Sequence, residues 1–364
     1  MLVHICCSVD SHYFLRRLLD DFPDEKLIGY FYDPNIHPYA EFVLRYEDVK
    51  RSCESLGVEL ICGDYDYEAW LDGTKGLENE PEKGKRCVYC FEFRMGNSAK
   101  MAKSLDETSI TTTLLMSPKK DFAQLKNALD NTIKGTNLKA VAVDYRINGG
   151  TNAQFELAKK DKLYHQNYCG CIYGLLKQRE AQNLPLYDLF SDVNGRVLPG
   201  SVQERLKLYK NVRECEMQGV KFHLSRKYFL NYRLLYGRVK FNDKVIPSYF
   251  VLYSNFKRQN VKLSVNEPSV ICDELKDGVM LINLASFNEI LRRVNGSKSQ
   301  KFKSIYELCK NPPSIESELN LRRELCGEFS QNPIIILDKI CVGRYEINAK
   351  NVLYNDSREI LVVE

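Results

Sequence analysis

The first 180 residues alternate short apolar, β-branched runs with stretches of helical period. Runs at Leu2 to Ile5, Leu27 to Tyr32, Val58 to Cys62, Ser109 to Leu115 and Leu138 to Val143 predict strands. Between the second and third, Phe42, Tyr46, Val49, Cys53 and Leu56 recur every three or four residues. That spacing puts them on one helical face against a sheet and makes Cys53 a core residue. Strands alternating with helices predict an α/β unit, a parallel sheet with flanking helices. The loop Asp33-Pro34-Asn35-Ile36-His37-Pro38-Tyr39 falls at the C-terminal edge of the second strand, the edge along which open α/β sheets bind ligands.

Beyond about residue 180 the pattern changes, and Asn183-Leu184-Pro185 predicts a boundary dividing the chain into residues 1–182 and 185–364. Aromatic and basic residues interleave from Lys221 to Lys262, and strands are expected around Val239 to Ser254 and Pro333 to Ile347. These features predict a second, β-rich mixed α+β domain. Charge separates the two parts. Residues 1–180 carry 24 Lys and Arg against 27 Asp and Glu, and residues 181–364 carry 28 against 21, so the net +4 conceals an acidic half and a basic one. In the basic half, Tyr228, Phe229, Tyr232, Arg233, Tyr236, Arg238, Tyr249 and Phe250 mix cations for phosphates with rings for bases. The alternative is a β-rich core whose strands show their charges to water. Apolar residues at 44% and charged residues at 27% exclude disorder. No apolar run approaches the roughly 18 residues of a spanning helix, and no basic segment precedes Leu2 to Ile5, so the chain is expected in the cytoplasm without a membrane partner.

Thirteen cysteines in such a chain suit metal or catalytic thiols better than a disulfide framework. Cys6-Cys7 follow the first strand and precede a helix expected from near Ser11, where the helix N-terminus favours thiolate, the form that binds metal. Cys87-x-x-Cys90 opens a helix with Phe91, Met95, Ala102 and Leu105 expected to face inward. Two such pairs make a four-thiolate site, which suits structural zinc or an iron–sulfur cluster; ligand type alone does not choose between them. A disulfide across Cys169-Gly170-Cys171 would close a small strained ring, so that pair suits a redox couple or two metal ligands. Cys62, Cys215, Cys272, Cys309, Cys326 and Cys341 have no partner at motif spacing and are expected in buried or incidental roles. The turn Cys6-Cys7-Ser8-Val9-Asp10-Ser11 has the outline of the S-G-G-x-D-S loop of ATP-pyrophosphatases, with cysteines where glycines would cradle pyrophosphate. Asp10 is then a candidate iron ligand or proton donor; a helix N-cap is its ordinary role.

Taken in order, Cys6-Cys7-x-x-Asp10, Pro34-Asn35-Ile36-His37-Pro38, Cys87-x-x-Cys90, Thr111-Thr112-Thr113-Leu114 with Ser117-Pro118, and Tyr164-x-Gln166-Asn167-Tyr168-Cys169-Gly170-Cys171 resemble the QueH family of epoxyqueuosine reductases. The resemblance implies an adenine-nucleotide-hydrolase (HUP-like) α/β fold turned to metal use. It implies reduction of the epoxide of epoxyqueuosine to the alkene of queuosine at the wobble position of tRNA, the last step of queuosine biosynthesis. A 4Fe-4S cluster on Cys6, Cys7, Cys87 and Cys90 and redox-active Cys169 and Cys171 are implied with it. So is a second, mononuclear iron near the cluster, with Asp10 and nearby cysteines as its ligands. The partners are then tRNA carrying epoxyqueuosine and an electron donor of unknown identity, and the resemblance does not reach residues 185–364. Two other readings compete. A tRNA-modifying enzyme of ATP-pyrophosphatase type needs a glycine phosphate loop that Cys6 and Cys7 replace. A non-catalytic, zinc-stabilised RNA-binding protein uses the four thiolates but gives no purpose to the C-x-C pair.

Overall fold

The computed structural model describes residues 1–184, 186, 194–267, 269–272, 275–296 and 300–364. Of the boundary expected at Asn183-Leu184-Pro185, Pro185 lies outside them. The chain divides into two compact units, one comprising Met1–Leu186, Arg205–Ser225 and Glu359–Glu364, the other Tyr187–Glu204 and Arg226–Arg358.

The first unit alternates strand and helix: β1 (Leu2–Ile5), α1 (Ser8–Asp21), β2 (Ile28–Phe31), α2 (Tyr39–Leu56), β3 (Glu59–Cys62), α3 (Tyr67–Gly73), α4 (Lys85–Ser104), β4 (Ser109–Thr112), α5 (Phe122–Ile133), β5 (Lys139–Ala140), α6 (Gly150–Lys160), α7 (Ile172–Ala181) and, from Arg205 on, α8 (Val202–Met217). The strands form one parallel sheet in the order β3-β2-β1-β4-β5, the α/β architecture expected. Every residue of β1, β2 and β4 is buried, as a parallel sheet covered on both faces requires. Helix α1 packs with α2 and α6, and α4 with α5. Phe42, Val49 and Cys53 of α2 are buried in the core, with Tyr46 and Leu56 packed against it.

The strand order positions the site. Chain direction across the sheet reverses between β1 and β4, and doubly wound sheets open a binding crevice at that point, outside the C-terminal strand ends. Cys6 and Cys7 leave β1 there, and a 3-10 turn, Thr113–Met116, follows β4 directly. Beneath it, the buried His4 ring of β1 meets β4 and the residue that follows β2, Nδ1 to Thr112 Oγ1 at 2.9 Å and Nε2 to the Tyr32 carbonyl at 3.1 Å. Burial and the nearby Arg94 hold the His4 pKa well below its ordinary value, so this link is a neutral imidazole.

Four local features differ from expectation. Helix α1 begins at Ser8 rather than near Ser11, with Cys7 as its N-cap, so Asp10 lies in the first turn, where a negative charge complements the helix dipole. The run Ser109 to Leu115 stops being strand at Thr112, whose hydroxyl accepts from the Leu114 N–H at 3.2 Å and starts the 3-10 turn. The fifth strand shrinks to Lys139–Ala140, which pair with Ser109 and Ile110 of β4, and the chain then runs irregularly to a turn that begins at Tyr145. Leu105 caps the C-terminus of α4 and is 36% exposed, whereas Phe91, Met95 and Ala102 face inward.

The second unit holds most of β6 (Phe222–Phe241), then β7 (Lys244–Ile246), β8 (Ser248–Phe250), β9 (Asn260–Val265), β10 (Ile271–Cys272), β11 (Met280–Asn283), α9 (Leu284–Asn295), α10 (Ile305–Lys310), α11 (Ile315–Cys326), β12 (Ile334–Leu337) and most of β13 (Gly343–Val363). One mixed sheet has the order β10-β11-β12-β8, and a second has the order β7-β6-β13-β9. Alternation along β11 and β12 serves two cores. Met280, Ile282, Ile334 and Ile336 pack on Phe287 and Ile290 of α9, while Leu281, Ile335 and Leu337 pack on Val261, Leu263 and Ile347 of the other sheet. The run expected from Val239 to Ser254 breaks where Asn242 and Asp243 adopt positive φ and again at Pro247, which cannot donate to a ladder. Tyr232, Arg233 and Tyr249, three residues of the aromatic and basic run, are buried and serve the core. Cys62, Cys309 and Cys341 are exposed rather than buried. Among the described residues no helix is long and apolar enough to cross a membrane.

Candidate metal centre and substrate cavity

Two consecutive thiols and a carboxylate begin the site. Cys6 Sγ lies 3.7 Å from Cys7 Sγ, 4.0 Å from Asp10 Oδ2 and 3.9 Å from Thr113 Oγ1, so it spans the crevice from β1 to the turn after β4. Among the described residues Cys6, Cys7 and Asp10 are the group whose donor atoms close to within 4.8 Å of one another, and all three are buried. Gln154 Nε2 holds Asp10 Oδ1 at 2.6 Å. Burial pushes the Asp10 carboxyl up to about 6, against the opposing effect of Cys7, Gln154 and Lys120. At Cys7 the thiolate-favouring helix N-terminus is outweighed: the Cys6 sulfur beside it, burial and the Asp10 carboxylate push the thiol well above its ordinary range. A coordinated metal ion reverses that balance, because it deprotonates a thiol outright.

The second pair sits at the start of α4. Cys87 accepts the Lys83 backbone N–H at 3.3 Å, and Cys90, one turn later, is buried. Burial pushes the Cys90 thiol up to about 12, opposed by Arg94. Arg94 is itself buried and ion-paired with Asp33 of the loop after β2. Its charge acts on Cys90, Cys6 and Cys169 together, and the Lys120 ammonium acts on Cys169, Cys87 and Cys90.

The third pair is carried by a loop held in place from the β2 side. Arg45, paired in the interior with Glu41 at 2.8 Å, donates to the Tyr168 carbonyl at 3.0 Å and the Cys169 carbonyl at 3.2 Å. The His37 N–H donates to the Gly170 carbonyl at 2.9 Å, and Tyr168 Oη donates back to the His37 carbonyl at 2.5 Å. Gly170 adopts φ +108°, and a Cβ there would stand 2.8 Å from Ile36 Cγ1, so only glycine fits between the two cysteines. Cys169 Sγ meets Lys120 Nζ at 3.3 Å. Burial pushes the Cys169 thiol up, but Lys120, Arg94 and Arg45 outweigh it and bring the group below its ordinary value. Cys171, the N-cap of α7, is pushed up by burial and by Cys169.

A cavity of about 590 Å³ opens beside these thiols, with Asp10, Lys120, Phe155, Gln166, Asn167 and Cys169 among its walls. Its volume suits a nucleoside-sized ligand. Lys120, Arg94, Arg45 and Gln154 belong to no spaced motif; what marks them is burial of a charged or amide group beside the thiols.

The family model for epoxyqueuosine reductase QueH matches residues 1–177. An epoxyqueuosine reductase QueH from Helicobacter pylori is 37% identical over 371 residues, covering 98% of this chain and 98% of its own length. The chain belongs to the QueH family. Two further QueH relatives, from Histophilus somni and Haemophilus influenzae, are 36% and 34% identical and match 50% and 48% of this chain, covering 75% and 71% of their own lengths. The Helicobacter pylori QueH therefore aligns with the second unit as well as the first.

Proposed function

We propose that this epoxyqueuosine reductase holds a 4Fe-4S cluster on Cys6, Cys7, Cys87 and Cys90 and reduces the epoxide of epoxyqueuosine in tRNA to the alkene of queuosine. The observation that carries the reading is that Cys6, Cys7 and Asp10 close to within 4.8 Å at the C-terminal end of β1, on a cavity that Asp10 shares with Cys169, whose sulfur meets the Lys120 ammonium at 3.3 Å. An anionic sulfur in a dry interior needs such a cation.

As they stand, the four thiols of the two pairs do not close around a single zinc ion. Tetrahedral zinc, with Zn–S near 2.3 Å, needs its sulfurs about 3.8 Å apart. Cys6 and Cys7 meet that spacing at 3.7 Å, but among the described residues no group of three that includes Cys87 or Cys90 closes within 4.8 Å. In a 4Fe-4S centre each thiolate would ligate a different iron, so Cys6 and Cys7 would part from their 3.7 Å spacing to hold it. When bound, such a centre supplies electrons one at a time and, through an iron with an open position, a Lewis acid.

Removing the epoxide oxygen breaks two C–O bonds, forms the C=C bond and releases water, consuming two protons and two electrons from an external donor. The chain's own residues supply position and protons. Asp10 lines the cavity with its pKa raised to about 6, which suits it to hold a proton near neutral pH for the departing oxygen. A second, mononuclear iron is the finer reading, with Asp10 as the donor that the four-thiolate set leaves free and the neighbouring Cys169 and Cys171 as further candidates. With that iron bound, Asp10 is a ligand instead of the proton donor. Cys169, at the cavity wall and brought below its ordinary pKa by Lys120 against the effect of burial, forms a redox couple with Cys171. The second unit, with 23 Lys and Arg against 17 Asp and Glu, holds the tRNA backbone, and the protein works in the cytoplasm where tRNA is.

The test is anaerobic turnover of epoxyqueuosine-containing tRNA with dithionite as electron source, the nucleosides being read by mass spectrometry. Conversion to queuosine together with iron and sulfide in the purified chain is expected. Stoichiometric zinc and no conversion would favour the RNA-binding reading instead.

A further inference from the structure

Phe155, His165 and Tyr168 put aromatic rings in the wall of the cavity beside the thiols. Tyr168 is buried and already in use: the Arg45 guanidinium lies 5.2 Å from its ring centroid, and its hydroxyl donates to the His37 carbonyl. Phe155 is different. It stands on α6 with 38% of its surface exposed, and the ring it meets is that of His165, with centroids 5.8 Å apart and planes inclined at 48°. A tilted pair does not cover a ring face as a stacked pair does.

Both rings are held in place by their neighbours in the chain. Gln154, one position before Phe155, is buried and donates Nε2 to Asp10 Oδ1 at 2.6 Å and to the Val9 carbonyl at 3.3 Å, which ties α6 to the first turn of α1. His165, Gln166 and Asn167 lie between Tyr164 and Tyr168, both buried, so this short segment is pinned at its two ends and its middle lines the cavity. There Gln166 Oε1 is buried with no hydrogen-bond partner in the fold. Buried polar atoms are nearly always paired, so what is missing at Gln166 is a donor.

We propose that the base of the wobble nucleotide lies in this cavity with its ring on Phe155 and its donor edge, N1–H and the 2-amino group, at Gln166 Oε1. The inference rests on the proposed function, which makes a 7-deazaguanine nucleotide the substrate. Enzymes that act on a base take it out of its stack, and an aromatic side chain replaces the stacking that is lost. A guanine-type edge supplies the donor that Gln166 lacks. That edge and C7 lie on opposite sides of the ring system. A base held by its donor edge therefore turns its C7 arm, which carries the epoxide, toward the rest of the cavity, where Asp10 and Cys169 stand.

The probes are two anticodon stem-loop RNAs of one sequence, one with guanosine at the wobble position and one with an abasic site there. Fluorescence anisotropy with the full chain, purified anaerobically, gives both affinities. Wild type should bind the guanosine RNA about five- to a hundredfold more tightly, the range that stacking one base on one ring covers. Phe155→Leu keeps apolar bulk without a flat ring and should lose most of that preference, whereas Phe155→Tyr should keep it. Gln166→Leu should reduce it about three- to tenfold, the loss of one hydrogen bond. Binding of the abasic RNA reports that each variant is folded; should Phe155→Leu lose it, wild type and Gln166→Leu decide. Equal binding of the two RNAs by wild type, or an undiminished preference in Phe155→Leu, overturns the inference, and an undiminished preference in Gln166→Leu overturns the edge contact. No readout here is turnover. A wild-type chain that reduces epoxyqueuosine tRNA without preferring the base overturns this inference alone, whereas base preference without conversion overturns the proposed function and leaves the base site standing.

Discussion

Lys120 Nζ lies 3.3 Å from Cys169 Sγ, an ammonium from the loop before α5 set against the first thiol of the C-x-C pair. The contact brings Cys169 below its ordinary pKa in spite of burial. Lys120→Met keeps the aliphatic stem and removes the charge. An opposite charge at this range shifts a titration by about 1–3 units, so the midpoint for alkylation of Cys169 in the metal-free chain should move to higher pH by about a unit or more. Peptide mass spectrometry of iodoacetamide-treated protein across a pH series measures it. An unmoved midpoint would mean that Arg94 and Arg45 suffice to hold the thiolate.

The four proposed cluster ligands and the C-x-C pair should separate by phenotype. Ala at Cys6, Cys7, Cys87 or Cys90 should lower iron, sulfide and visible absorption together, since each removes one thiolate of a four-thiolate set. Ser at Cys169 or Cys171 should leave the cluster in place and abolish turnover. Full activity in both serine variants would remove them from the reaction.

Asp10 distinguishes one iron site from two. Asp10→Asn preserves shape and the hydrogen bond from Gln154 while removing a carboxylate from the group that closes to within 4.8 Å. Anaerobic metal analysis should find about one iron per chain fewer, with sulfide unchanged, because mononuclear iron brings no sulfide. Unchanged iron with lost turnover would assign Asp10 to proton delivery.

Gly170 carries a backbone prediction. At φ +108°, with Ile36 Cγ1 2.8 Å from the site of a Cβ, Gly170→Ala forces the loop to move. Strain of this kind costs about 1–3 kcal/mol, and displacing a reacting group by about an ångström costs on the order of a hundredfold in rate. The variant should unfold at lower temperature and turn over far more slowly while retaining its cluster, whose four ligands lie on other segments.

Much of the first unit was legible because its signals are local. The central strands are continuous apolar runs, α2 repeats every three or four residues, and Cys6-Cys7, Cys87-x-x-Cys90 and Cys169-x-Cys171 are visible as spacings. What surrounds them was not legible, since those contacts are made only by folding. Lys120 is 49 residues from Cys169, Gln154 is 144 from Asp10, and Arg45 is 124 from Cys169. A lone Lys, Gln or Arg has no period that would bring it forward. The second unit differs, because its breaks are local: in residues 239–254 Asn242 and Asp243, at positive φ, and Pro247 are turn signals in the sequence itself, and they cut the run into β6, β7 and β8.

The charge of the second unit leads to a test on the intact protein. Removing everything beyond residue 185 would also strip α8 from the first unit, where Glu216 pairs with Arg51 at 2.8 Å, Arg213 pairs with Glu54 at 2.9 Å and Tyr209 donates to Glu359 at 3.1 Å. Substitution of exposed cations avoids that damage. Arg226, Lys227 and Arg238 are exposed on β6 along with Tyr228 and Tyr236, which places three positive charges and two rings on accessible strand positions. Each phosphate contact contributes about 0.7 to 0.9 to the slope of log affinity against log salt, so replacing all three cations by Gln should flatten that slope by about two. Binding at low salt should weaken, while turnover at saturating tRNA persists, because every proposed metal ligand lies on the first unit. Fluorescence anisotropy of labelled tRNA over a salt series reads the slope directly. A slope and affinity equal to wild type would show that these cations face water alone, and the basic character of the second unit would then need a protein partner or a purely structural role.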